Sequence, residues 1–126
     1  MAPNIYRGQC HCGRVAWEIE VDLATTRILN CNCSICHKKG FLHLIVEPEN
    51  FRLLSGEDVL QEYRFNTGEA VHRFCQHCGI HSFYTPRSHP DKVDVNVRCI
   101  EGLDLEGLQI ETFDGKKWEN NIETIR

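Results

Sequence analysis

The sequence predicts a mainly β fold: one domain of antiparallel strands with metal sites in its turns. Three observations predict it. Apolar and polar residues alternate at a period of two in several short runs, the mark of strands with one buried face. No window carries the 3.6-residue periodicity of a long amphipathic helix. Seven of the eight cysteines gather in three tight clusters, Cys10-x-Cys12, Cys31-x-Cys33-x-x-Cys36 and Cys75-x-x-Cys78.

The elements follow in order. Val15, Trp17, Ile19 and Val21 alternate with Ala16, Glu18 and Glu20 and read as the first clear strand. Phe41 to Val46 reads as a strand that ends before Pro48. Tyr63 and Phe65 lead into the turn signal Asn66-Thr67-Gly68, and Ala70 to Phe74 return toward Cys75, which predicts a hairpin. Ile80 to Thr85 and the strictly alternating Val93 to Val97 are further strands. Ile110 to Phe113 and Trp118 flank Asp114-Gly115, read as a second hairpin turn. Helix is confined to a short turn after Cys33 and another near Gly56 to Leu60. The loop at Pro86-Arg87-Ser88-His89-Pro90 is the most irregular stretch. At 126 residues the chain is long enough for one domain that buries roughly two-thirds of its unfolded surface. The domain spans 5–120, with 1–4 and 121–126 as terminal extensions.

Charge and cysteine usage exclude several classes of function. A net charge of −4 gives no general attraction to phosphate backbones, so no nucleic acid is expected as a partner. Lys38-Lys39 and Lys116-Lys117, the two basic pairs, read as solvated faces. No stretch approaches the roughly 20 apolar residues that span a bilayer, so no membrane partner is expected. Eight cysteines in a short chain can mean a secreted disulfide framework. The residues Met1-Ala2-Pro3-Asn4-Ile5 lack a signal-peptide layout, and cysteines one residue apart pair poorly with each other. Local clustering is instead how a metal collects ligands, and the expectation is a reduced, cytoplasmic protein.

A closed tetrahedral zinc site takes four ligands, and seven clustered cysteines leave three over. Gly13 follows Cys12 and Gly79 follows Cys78, where a zinc knuckle must turn back and a glycine accepts positive φ. The middle cluster lacks that glycine, since His37 follows Cys36. The spacing therefore assigns Cys10, Cys12, Cys75 and Cys78 to a structural zinc. Cys31, Cys33 and Cys36 then hold a second, open zinc whose fourth position takes water or a thiol. Three thiolates blunt the Lewis acidity of Zn²⁺, which suits it to soft sulfur ligands rather than to making hydroxide. Two other groupings stay open: His37 closing the second site, or Cys10 and Cys12 sharing a ligand with the middle cluster. Cys99, at the end of the Val93–Val97 strand, reads as a small core residue or a neighbour of the open zinc.

Three runs carry a resemblance: Gly8-Gln9-Cys10-His11-Cys12-Gly13-Arg14-Val15, Cys31-Asn32-Cys33-Ser34-Ile35-Cys36 and Phe74-Cys75-Gln76-His77-Cys78-Gly79. With Phe83-Tyr84-Thr85-Pro86-Arg87-Ser88 and Phe113-Asp114-Gly115 ahead of Trp118, the chain resembles the glutathione-dependent formaldehyde-activating (GFA) family, and within it the centromere protein V branch. The similarity runs from Ile5 to Trp118. It implies an Mss4-like β fold with two Zn²⁺ per chain, structural at Cys10, Cys12, Cys75 and Cys78 and catalytic at Cys31, Cys33 and Cys36. The implied activity is that of a carbon–sulfur lyase, joining glutathione and formaldehyde as S-hydroxymethylglutathione or separating them. The branch also implies an alternative, a zinc-stabilised interaction module without turnover. Its chromatin role goes with a basic N-terminal extension that the nine residues before Cys10 do not supply.

In such a reaction a thiolate attacks an aldehyde carbon, and the product oxygen is protonated. Glutathione carries two carboxylates, so a cationic group is expected at the site; Arg87, Arg98, Lys38 and Lys39 are candidates. His43 and His37 are nearest in sequence to the open cluster, while His72 and His81 flank Cys75 and Cys78. Any of these four histidines is a candidate acid or base. His11 and His77 lie inside knuckles, where side chains point away from the metal.

Overall fold

The computed structural model describes residues 4–65 and 67–125; Asn66 of the turn signal lies outside the described residues. It is mainly β, as the alternation requires, with ten strands in two sheets among the described residues. The smaller sheet has the order β1-β2-β5, formed by Asn4–Gln9, Ala16–Val21 and Phe51–Ser55. The larger has seven strands in the order β10-β3-β4-β9-β8-β7-β6. These are Ile110–Phe113, Ile28–Cys31, Leu42–Val46, Val93–Asn96, Phe83–Thr85, Val71–Cys75 and Leu60–Tyr63.

The core lies between the sheets. Trp17 and Ile19 of β2 join Leu44 and Val46 of β4, Phe83 of β8 and Val95 of β9 in one apolar cluster, most of it fully buried. Phe51 of β5 bridges the layers, with ring centroids 6.1 Å from Trp17 and 5.0 Å from Phe83. Burying aromatic and branched side chains of this size supplies most of the drive to fold.

The hairpin expected from Tyr63 to Cys75 forms, but its first strand lies earlier in the chain, β6 pairing antiparallel with β7 from Leu60↔Cys75 to Tyr63↔His72. The short helix after Cys33 is α1, Ser34–Lys39, and a 3₁₀ turn covers Glu57–Val59. Two expectations need correction. Strand structure in the 80–85 segment starts only at Phe83, because Ile80 is spent closing the Cys75 knuckle through its carbonyl. Asp114-Gly115 is no hairpin turn. β10 pairs parallel with β3, and Gly115–Lys117 begins helical turns that continue as α2, Trp118–Asn121. The otherwise antiparallel sheet therefore carries one parallel edge pair, and Ile122 beyond it is buried.

The larger sheet buries its second face as well. On β9, Asp94 and Asn96 are as buried as Val95, and on β4 His43 is as buried as Leu44. Over this second face close α1, the β6–β7 loop, the segment Pro86–Ser88 and the turns from Gly115 onward. The strict alternation at 93–97 puts the polar residues on one face. Here it places them in a covered polar layer.

Candidate active site

The fold brings the cysteines together in two groups. Cys10, Cys12, Cys75 and Cys78 converge with their sulfurs within 4.8 Å of one another, as do Cys31, Cys33 and Cys36. Each set is therefore able to hold a metal ion. None of the eight cysteines is in a disulfide, and neighbouring sulfurs 3.6 and 3.7 Å apart are far beyond the roughly 2.05 Å of a bond.

The four-cysteine group is built from two matching turns. Gly13 N–H bonds the Cys10 carbonyl at 3.2 Å and Gly79 N–H bonds the Cys75 carbonyl at 2.8 Å, both glycines at positive φ, 82° and 76°. The Val15 amide donates to Cys10 Sγ at 3.4 Å. Cys10 belongs with the small sheet and Cys75 ends β7 of the large one, so the group joins the two layers. Burial pushes Cys10 up to about 11, while the Arg14 backbone and side chain pull Cys12 down to about 6. Cys99 lies beside this group: burial raises it to about 12, with Cys10 and Cys78 as its charged neighbours. It is packed against the core, which corrects its expected alternative place beside the open cluster. His11 and His77 are exposed and outside the ligand set.

The three-cysteine group sits where β3 passes into α1. Cys31 ends the strand, Cys33 caps the helix with its sulfur accepting from the Cys36 amide at 3.5 Å, and Cys36 lies buried one turn on. Asn32 fixes the far side, donating from its amide to the Phe113 carbonyl at 3.2 Å and accepting from the Lys116 amide at 3.1 Å. This draws Gly115 against the cluster, where an added Cβ would collide with Cys31 Sγ and come within 2.9 Å of Cys33 Cβ. Hydrogen bonds from Cys31 and then Cys36 hold Cys33 well below the usual thiol range, while Cys31 and Cys36 are pushed up. Three sulfurs this close disfavour one another's ionisation unless a cation lies among them. The donor set thus fits a soft divalent metal such as zinc. His37 is exposed and outside the set.

The cluster opens onto a cavity of about 600 Å³. On its sheet side lie His43, Ile45, Tyr84 and Asp94; His72 and Phe65 line it from β7 and the β6–β7 loop. His43 Nδ1 lies 2.6 Å from Asp94 Oδ2 and 3.4 Å from the Tyr84 hydroxyl, while its Nε2 is buried without a partner among the described residues. Lys39 Nζ lies 2.9 Å from His72 Nδ1 and stands over the Phe41 and Tyr84 rings, 4.7 and 4.3 Å from their centroids. Burial, helped by the Lys39 charge, lowers His72 to about 4; burial likewise lowers Lys39.

Of the expected cationic groups, Arg87 lines the cavity, held over the Trp118 ring at 3.7 Å and bonded to Glu119 at 3.1 Å. Arg98 and Lys38 are exposed and do not line it. Lys116 and Lys117 are exposed, as expected of solvated residues, but they stand at the cavity wall. Tyr84, Asp94 and Trp118 were not singled out as site residues by the sequence. The clue was an acidic residue inside a strand of valines, where burial needs a partner.

Residues 5–114 match the family model described as glutathione-dependent formaldehyde-activating enzyme. The chain is also similar to the crystal structure of a Rhodobacter sphaeroides protein, a Northeast Structural Genomics target, at 34% identity and a TM-score of 0.73. That alignment covers 84% of this chain and 98% of the other. No helix among the described residues is long and apolar enough to cross a membrane. Both cysteine groups and most of the cavity wall fall within the matched span, and the chain belongs to the glutathione-dependent formaldehyde-activating family.

Proposed function

We propose that the protein is a zinc-dependent carbon–sulfur lyase that forms or cleaves the adduct of a low-molecular-weight thiol, of the glutathione kind, with a small aldehyde. The observation that carries this reading is a three-thiol cluster set in the wall of a 600 Å³ cavity that it shares with two buried histidines. In this reading Cys10, Cys12, Cys75 and Cys78 hold a structural zinc and Cys31, Cys33 and Cys36 a catalytic one. The catalytic zinc, when bound, offers a soft position at which a substrate thiol stays deprotonated.

The chain's own residues do the rest. Arg87, Lys116 and Lys117 put cationic groups at the cavity wall, where a thiol with two carboxylates needs them. Phe65, Phe113 and Trp118 supply apolar wall that excludes water from the adduct. Thiol addition to an aldehyde already proceeds in water, so positioning and proton control account for the modest barrier lowering required. Eight unpaired thiols fit a reducing compartment such as the cytoplasm.

The test is the rate of exchange between free and thiol-bound ¹³C-formaldehyde, followed by NMR at equilibrium with glutathione. The wild-type chain accelerates exchange, and Cys33→Ser removes the acceleration while keeping the fold. Equal rates with and without wild-type protein reject the lyase reading and leave a zinc-stabilised interaction module.

A further inference from the structure

Two imidazoles line the same cavity, and each is gripped at Nδ1 by a partner of opposite hydrogen-bonding character. His43 Nδ1 meets the Asp94 carboxylate, which only accepts, so Nδ1 carries a proton and in the neutral imidazole the lone pair lies on Nε2. His43 is 5% exposed, and that Nε2 has no partner among the described residues. His72 Nδ1 meets the Lys39 ammonium, which only donates, so its lone pair sits on Nδ1 and its proton on Nε2. Tyr84 fixes both rings, stacked on His72 at 4.7 Å and edge-on to His43 at 5.9 Å. Both rings line the cavity, one fixed as an acceptor at a buried Nε2 and the other as a donor. An unsatisfied acceptor in so buried a ring is costly unless a ligand completes it.

We propose that His43 and His72 are the proton-handling pair of the cavity, His43 Nε2 accepting from the substrate thiol and His72 Nε2–H donating to the aldehyde oxygen. The pair rests on the lyase reading for the identity of its ligand. In the addition, the S–H proton passes to His43 Nε2, the C–S bond forms, and the C=O π pair moves onto the oxygen beside His72. That oxygen then takes the proton from His43, so no net charge, electron or proton is left on the protein. A neutral donor is what this step needs, and the burial that keeps His72 uncharged serves it. Asp94 and Lys39 are positioning residues: each sets a tautomer and neither touches the reacting atoms.

The experiment is ¹⁵N-imidazole NMR on the zinc-loaded full chain at neutral pH. The proposal expects His43 protonated at Nδ1 and His72 at Nε2. Lys39→Met releases His72 into a mixture of tautomers and leaves His43 unchanged; Lys39→Arg, which keeps the donor, restores the wild-type spectrum. In the exchange assay His43→Gln and His72→Gln each slow turnover by about 10²-fold with zinc content intact. The same tautomer on both rings, an unchanged His72 in Lys39→Met, or full turnover in both glutamine variants overturns the pair. If the wild type turns nothing over while the tautomers stand as expected, the lyase reading falls and the acceptor–donor wall remains. If the tautomers differ, the pair falls whatever the turnover.

Discussion

Adding one methyl group at Gly115 would drive a carbon into Cys31 Sγ and to within 2.9 Å of Cys33 Cβ. Gly115→Ala therefore acts on the three-cysteine site without touching a ligand. We expect zinc at that site to bind roughly 10–100-fold more weakly, with far-ultraviolet circular dichroism unchanged, as measured by competition with a chelator. His72, buried, and His81, partly buried, give a second residue-level prediction. Burial lowers His72 and His81 from 6.5 to about 4. Above pH 6.5 folded and unfolded chains both hold them neutral. As pH falls from 6.5 toward 4 the unfolded chain takes up protons that the folded chain refuses, so stability falls with pH across that window. Urea midpoints between pH 7 and 5 should drop less steeply in His81→Gln than in the wild type; equal slopes would mean His81 is not held neutral. At this scale the two cysteine groups were legible, because their spacing is local in sequence. His43 could only be one of several candidates, since its partner Asp94 lies 51 residues away.

Among elements, the informative contrast is between the two cysteine groups. The four-cysteine group connects the turn after β1 to the end of β7 and so ties the layers together. The three-cysteine group is contained within the β3–α1 junction. Cys75→Ser should therefore lower the unfolding midpoint of the whole chain, while Cys33→Ser leaves it near wild type; calorimetry on both variants separates them. In β4, Leu44 is fully buried between the sheets, and Leu44→Ala should cost about 2–5 kcal/mol by denaturant titration. The hairpin of β6 and β7 and the strand signals at 15–21 and 41–46 were readable because period-2 alternation and turn residues are local. β10 was read as half of a hairpin because Asp114-Gly115 is a strong turn dipeptide. The competing requirement was Gly115's close approach to Cys31 and Cys33, which no neighbour in sequence reveals. The burial of Asp94 and Asn96 was out of reach for a similar reason: alternation tells two faces apart but cannot say that both are covered.

The described residues form two sheets sharing one core, with four sulfurs gathered at the place where the layers meet and three at the wall of a cavity. The β class and both cysteine groups followed from the sequence. The cavity did not, because its walls come from β3, α1, β4, the β6–β7 loop, β7, β8, β9 and the segment after β10, which meet only in the fold. In the proposed lyase the three-sulfur site takes a substrate thiol as a further ligand. Cobalt(II) loaded in place of zinc reports this directly, since each added thiolate strengthens the sulfur-to-metal charge-transfer absorption. Glutathione should raise that absorption in the wild-type chain and leave it unchanged in Cys33→Ser. A wild-type spectrum that saturating glutathione does not alter would contradict the claim.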